Sequence, residues 1–130
     1  MVRSLSILLI GVCAVASLSA QAVRNVPRVS IDELKALMQQ NAVVVLDVRN
    51  ADEFKSGHIP GAVNLNYTRV TAEGGRFKGE PRTIVAYCAC ANEMTAARAA
   101  VDLAALGIRG AKALKGGWDE WLALGEKVEK

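Results

Sequence analysis

Histidine occurs once in the 130 residues and cysteine three times, and these scarcities exclude more than any single motif establishes. A structural zinc site takes four ligands at recurring spacings. His58 beside one close cysteine pair falls short of that set, so no metal centre is expected. So few cysteines also rule out a scaffold held by disulfides. Runs of like charge are absent too: 16 Lys and Arg are interspersed with 13 Asp and Glu, for a formal charge of +3, and nothing resembles a nucleic-acid footprint. There is no serine-type triad, no internal repeat and no low-complexity tract.

What is present begins with an apolar leader. Arg3 is the only charge before Arg24, and between them lie Leu5, Ile7, Leu8, Leu9, Ile10, Val12, Val15 and Leu18, closing on Ala20-Gln21-Ala22. A basic start, an apolar centre and a small-x-small site describe a secretory signal peptide, residues 1–22, cut after Ala22. The alternative is an uncleaved anchor, because the uncharged run is close to the ~20 residues that span a bilayer. Ser4, Ser6, Ser17, Ser19 and Gln21 dilute it. Lipid attachment at Cys13 is disfavoured by the bulky Val12 before it. The expected product is an exported protein, periplasmic or secreted, with no stable membrane association and only Cys88 and Cys90 as thiols. The rest of the chain suffices for one compact domain and not for two.

Hydrophobic patterning gives that domain a class. Ser30-Ile31-Asp32-Glu33 followed by Leu34, Leu37 and Met38 reads as an amphipathic helix with a capping box. Ala42 to Leu46 and Arg82 to Tyr87 are apolar runs suited to strands buried on both faces. A short helix is expected from Ala51 to Lys55 with Gly57 as its stop, then a turn at Pro60-Gly61 and a short strand from Ala62 to Leu65. Thr68 to Pro81, with Gly74, Gly75 and Gly79, reads as a surface loop with one helical turn at most. A helix from about Thr95 places Ala96, Ala99, Ala100, Leu103 and Leu106 on one arc and closes at Gly107. A last strand, Ala111 to Leu114, leads through Gly116-Gly117 to a helix bearing Trp118, Trp121 and Leu122. Apolar strands alternating with helices imply an α/β fold, a small parallel sheet with helices on both faces.

Binding edges of such sheets lie at the carboxyl ends of the strands, and Cys88 follows the strand that ends at Tyr87. There its sulfur would meet unpaired N–H groups and the positive end of a helix dipole, both of which favour the thiolate. A buried structural cysteine is the bland alternative, and Cys90, in the same loop and nearer the helix, is a rival nucleophile. The two could also form a disulfide, favoured by an oxidising compartment and opposed by the tightness of the ring. With few charged side chains nearby, an anion would be held by the backbone amides of Ala89, Cys90, Ala91, Asn92, Glu93, Met94 and Thr95. Glu93 should therefore point outward or hydrogen-bond within the loop, and Thr95 should serve as a helix N-cap.

Three blocks resemble the rhodanese homology domain. Residues Asp47 to Ala62 are similar to its amino-terminal signature, Leu114 to Trp121 to its carboxy-terminal one, and Tyr87-Cys88 with the alanine-rich helix to its active-site strand and cysteine. The resemblance spans about residues 27 to 125 and implies a single-domain sulfurtransferase. Cys88 would take a sulfane sulfur from a small anion such as thiosulfate, or from a persulfide donor, and pass it to a thiol or cyanide, with no cofactor or metal. Asp47, Arg49, Glu53, His58, Gly116, Gly117 and Trp118 would be structural. Arg49 and Glu53 would pair across one helical turn, His58 would hold a turn by hydrogen bonds, and Trp118 and Trp121 would close the domain by packing. The loop lacks the basic residues and glycine usual after the family's cysteine. Two alternatives therefore stand beside sulfur transfer: a thiol–disulfide module using Cys88 and Cys90, and a catalytically silent binding domain.

Overall fold

Strands β1 (Arg28–Val29), β2 (Val43–Asp47), β3 (Val63–Asn64), β4 (Thr83–Tyr87) and β5 (Lys112–Leu114) form one sheet in the order β1-β5-β4-β2-β3, with every neighbouring pair parallel. The structure is a computed structural model that describes residue 15 and residues 17–130. Most of the expected leader, Cys13 included, lies outside the described residues. Among those described, no helix is long and apolar enough to cross a membrane.

The alternation of side chains along a strand divides the core into two. On one face Val44, Leu46, Ile84, Ala86 and Ala113 pack against Ala96, Ala99, Ala100 and Leu103 of α4 (Met94–Ala105), with Val70 and Phe77. Val43, Val45, Val85, Tyr87 and Leu114 form the other face and meet Ile31 and Leu34 of α1 (Ile31–Gln39) and Trp121 of α5 (Gly117–Ala123). All five residues of β2 are buried, as expected for an inner strand covered on both sides. Both long helices thus use the faces their apolar spacing prescribes.

The capping box of α1 is formed: Glu33 N–H donates to Ser30 Oγ at 3.1 Å, and Ser30 N–H to Glu33 Oε2 at 2.7 Å. An equivalent box opens α2 (Ala51–Ser56), where Glu53 N–H donates to Asn50 Oδ1 and Asn50 N–H to Glu53 Oε2.

Residues 67–77 depart from the expected loop. They form a 3-10 turn (Tyr67–Arg69), α3 (Val70–Glu73) and a second 3-10 turn (Gly74–Phe77). Gly74 is buried beneath α4, where an added Cβ would come within 3.0 Å of both Leu103 and Leu106. It serves close helix packing rather than chain flexibility. Strand β1 was not expected, and residues 17–25 are helical, with Val23 in the core beside α4.

Candidate functional site

The carboxyl ends of β2 and β4 lie side by side, Asp47 opposite Tyr87, and the groups that follow these two residues build the site. Asp47 is fully buried, and every oxygen of its carboxylate is used. Oδ1 accepts from Arg49 N–H at 2.9 Å and Arg49 Nε at 3.0 Å; Oδ2 accepts from Arg49 Nη2 at 2.7 Å and from the Tyr87 hydroxyl at 2.6 Å. The same hydroxyl accepts from Ile59 N–H at 3.1 Å. Burial, and then the hydrogen bond and charge of Asp47, push the Tyr87 phenol far above its ordinary value. Burial works against the Arg49 charge, but the hydrogen bond and charge of Asp47 outweigh it and the guanidinium is held firmly protonated.

Arg49 therefore does not pair with Glu53, which is taken up in the α2 capping box. Two residues of separation across the end of β2 suit a forked Arg–carboxylate contact better than the helix turn does. Arg49 Nη2 also donates to Gly57 O at 2.7 Å, and its guanidinium lies 4.4 Å from the Trp118 ring centroid. Two sequence motifs 60-odd positions apart are joined through this stack. His58 is buried. Its Nδ1 lies 2.8 Å from Phe54 O, its ring stacks on Phe54, its Nε2 lies 3.3 Å from Glu129 Oε2, and its backbone pairs with Glu129 in both directions. Trp121 is buried with its Nε1 donating to Lys127 O.

Cys88 follows directly on this base. It is 4% exposed, while Ala89 and Cys90 are exposed. The carboxy-terminal motif presses on it from behind: Trp118 N–H donates to Cys88 O at 3.0 Å, and Gly117, at φ +54, backs onto the same carbonyl so closely that a Cβ there would collide with it. Only glycine meets both the left-handed backbone and the missing space. A hollow of about 320 Å³ opens beside the cysteine, lined by Cys88, Cys90, Arg49, Glu53, Tyr67 and Thr95 among others. A larger one of about 800 Å³ lies between the N-terminal helical residues and α4 and includes neither sulfur.

Cys88 and Cys90 are joined by a disulfide, with Cα atoms 5.6 Å apart. Within the loop, Met94 N–H donates to Ala91 O and Thr95 N–H to Cys90 Sγ at 3.4 Å. Asn92 and Glu93 are consecutive left-handed residues, each at φ 54, a conformation that costs a non-glycine residue about 1 kcal/mol and persists only where neighbours impose it. Glu93 shows what imposes it. Its carboxylate neither faces outward nor bonds within the loop: Oε1 accepts from Gly116 N–H at 2.8 Å, and Oε2 meets Arg28 Nε at 3.4 Å, while Arg28 Nη2 donates to Asn92 O at 3.3 Å. The loop is tied to β1 and to the Gly116–Gly117 turn. Glu93 also occupies the N-cap position of α4 expected of Thr95, without a side-chain cap bond.

Arg28 and Tyr87 were not among the expected site residues. A tyrosine at the end of an apolar run suited to an inner strand is itself a signal, since its hydroxyl must find a partner. Arg28 stands 65 positions from Glu93, and no local pattern encodes that pairing.

The sequence model of the Rhodanese-like domain matches residues 30–124. The chain is 32% identical to the "HTH-type transcriptional regulator Rv0324" of Mycobacterium tuberculosis over 88% of this chain and 50% of that protein. It is 30% identical to the "Thiosulfate sulfurtransferase GlpE" of Pseudoalteromonas translucida, over 78% of this chain and 95% of that one. The chain spans half the length of the regulator and less than half of several other curated relatives. Among solved structures, the human single-domain sulfurtransferase TSTD1 superposes with a TM-score of 0.65 at 28% identity, covering 75% of this chain and 96% of that one. With the parallel sheet, the strand-end cysteine and a match across most of the domain in agreement, this chain belongs to the rhodanese-like domain family.

Proposed function

We propose that the protein is an exported sulfurtransferase in which Cys88 carries sulfur as a persulfide. The observation that carries the reading is the placement of Cys88 at the carboxyl end of an inner parallel strand, against a hollow sized for a small anion. The relative named a thiosulfate sulfurtransferase, matched over nearly its whole length, supports the reaction class. Thiosulfate fits the chemistry. The Cys88 thiolate attacks the sulfane sulfur, the S–S bond of thiosulfate breaks, and sulfite leaves with the electron pair. Cys88 is left as Cys–S–S⁻, which hands its outer sulfur to a thiol or to cyanide in the second step. Loop amides between Ala89 and Thr95, with the amino end of α4, offset the negative charge of donor and persulfide. With Met94 and Thr95 N–H already engaged inside the loop, the residues from Ala89 to Glu93 are left as the anion's main contacts. Export follows from the leader, cut after Ala22.

The test is turnover. Prereduced wild-type protein, with cyanide in large excess as the competing sulfur acceptor, converts thiosulfate and cyanide to thiocyanate and sulfite, and Cys88→Ser does not. Thiocyanate from the variant at the wild-type rate would remove Cys88 from the mechanism.

One observation favours a second reading, thiol–disulfide exchange: the two sulfurs are bonded to each other. That reading requires the disulfide to equilibrate with small thiols. A pair that stays oxidised in millimolar dithiol excludes it.

A further inference from the structure

Resting on the assignment of Cys88 as the persulfide carrier, we infer that Cys90 is a resolving cysteine that discharges the bound sulfur of Cys88 as hydrosulfide. The disulfide shows that the loop backbone brings the Cys90 sulfur into bonding reach of the Cys88 sulfur, which is the approach an attack on the inner sulfur of a Cys88 persulfide needs. The loop that carries this approach is tied at Glu93 to Gly116 and Arg28. Thr95 N–H, at the opening of α4, donates to Cys90 Sγ and not to Cys88. It favours the Cys90 thiolate both as attacking group and, later, as leaving group. Exposure divides the labour. Cys88 is buried and Cys90 is exposed, so an external thiol reaches the pair through Cys90.

The step balances without an oxidant. The Cys90 thiol loses its proton and attacks the inner sulfur of Cys88–S–S⁻. A bond forms between the two cysteine sulfurs, the bond to the sulfane sulfur breaks, and hydrosulfide leaves with the electron pair and the proton. Hydrosulfide is a weaker base than a cysteine thiolate, so it is the better leaving group of the two available, and attack at the inner sulfur is preferred over transfer of the outer one to Cys90. The outer persulfide sulfur is reduced to sulfide and the Cys90 sulfur is oxidised, while the Cys88 sulfur keeps the oxidation level it already had in the persulfide. An external dithiol then attacks at Cys90, is itself oxidised to a disulfide, and returns both cysteines to thiols. Over a cycle, thiosulfate and a dithiol become sulfite, hydrosulfide and an oxidised dithiol.

The experiment loads prereduced mature protein with thiosulfate under exclusion of oxygen and without added thiol, then reads hydrosulfide with a sulfide probe and the protein by intact mass. Wild type should release about one hydrosulfide per chain and finish two hydrogens lighter. Cys90→Ser should gain one sulfur atom and release hydrosulfide only when dithiol is added. Wild type that keeps its added sulfur and releases nothing, while the variant loads, overturns the inference and leaves the persulfide assignment standing. A sulfur that settles on Cys90 in wild type, or equal release by the variant, also overturns it. A Cys90→Ser protein that never gains sulfur, confirmed as folded by circular dichroism, defeats the persulfide assignment and the inference together. If Cys90→Ser does not fold, Cys90→Ala takes its place under the same two readouts, with the same outcomes for and against.

Discussion

Replacing Gly117 with alanine tests how tightly the carboxy-terminal motif is built against the cysteine. At φ +54 a side chain costs about 1–2 kcal/mol of left-handed strain. The added Cβ would fall well inside 3.0 Å of the Cys88 carbonyl oxygen, nearer than real Cβ atoms come. That oxygen is backbone at the end of an inner strand and cannot swing aside, so β4 or the start of α5 must shift, an overpacking cost of about 1–3 kcal/mol. The shift also strains the 3.0 Å bond from Trp118 N–H to the same oxygen, worth about 1 kcal/mol. Gly117→Ala should therefore lose about 3–6 kcal/mol, a large part of the 5–15 kcal/mol typical of a whole domain. Gly61 is the control: its φ is +77 with nothing within 4 Å of a built Cβ, so Gly61→Ala should lose only the strain, about 1–2 kcal/mol. Urea unfolding followed by circular dichroism measures both. Equal losses would refute the claim that Gly117 is required by its approach to Cys88.

Other consequences follow from the same network. Asp47→Asn leaves the buried Arg49 charge without its counter-ion and should cost about 3–5 kcal/mol, read from the same urea transitions; a loss under about 1 kcal/mol contradicts the buried pairing. Glu93→Ala leaves Gly116 N–H without its acceptor and should cost about 1–3 kcal/mol, whereas Glu93→Gln keeps an oxygen there and should lose about 1 kcal/mol or less with the partly exposed Arg28 contact; equal losses would mean that the bond to Gly116 contributes nothing. In alkaline titration followed by phenolate absorbance, neither tyrosine should ionise near its ordinary pKa of about 10: burial and Asp47 raise Tyr87, and burial and Asp102 raise Tyr67. Because both folded values exceed the unfolded one, the stabilisation is complete below pH ~10 and is lost as pH rises above it. A phenolate transition centred near pH 10 in still-folded protein would contradict this.

Patterns that act over a few residues were legible. The Ser30–Glu33 box, the apolar run of β2, the alanine arc of α4 and the position of Cys88 each follow from local periodicity or capping chemistry, and each is found where the sequence puts it. Residues 67–77 hold more helix than the single turn expected there, an expectation set by Gly74 and Gly75, which signal a loop. Yet a glycine is also the residue that lets α3 and α4 approach closely, and sequence alone does not separate the two uses. Arg49 misled for a different reason. The spacing to Glu53 suits a helix pair, but Asn50 claims Glu53 for a cap, and Asp47, only two residues away at the strand end, claims the guanidinium. The Glu93 clamp depends on Arg28 and Gly116 meeting through the sheet order β1-β5-β4, which exists only after folding. Its carboxylate, which looked adverse to anion binding, is turned away from the loop interior and spent on holding the loop in place.

The most direct test of the account is intact mass spectrometry on two variants loaded with thiosulfate after reduction, Cys90→Ser and the Cys88→Ser/Cys90→Ser pair. With Cys90 absent, sulfur bound at Cys88 cannot be discharged internally. The account predicts one added sulfur atom on Cys90→Ser, removed by cyanide, and none on the double variant. No added sulfur on the folded single variant, or the same gain on both, contradicts it.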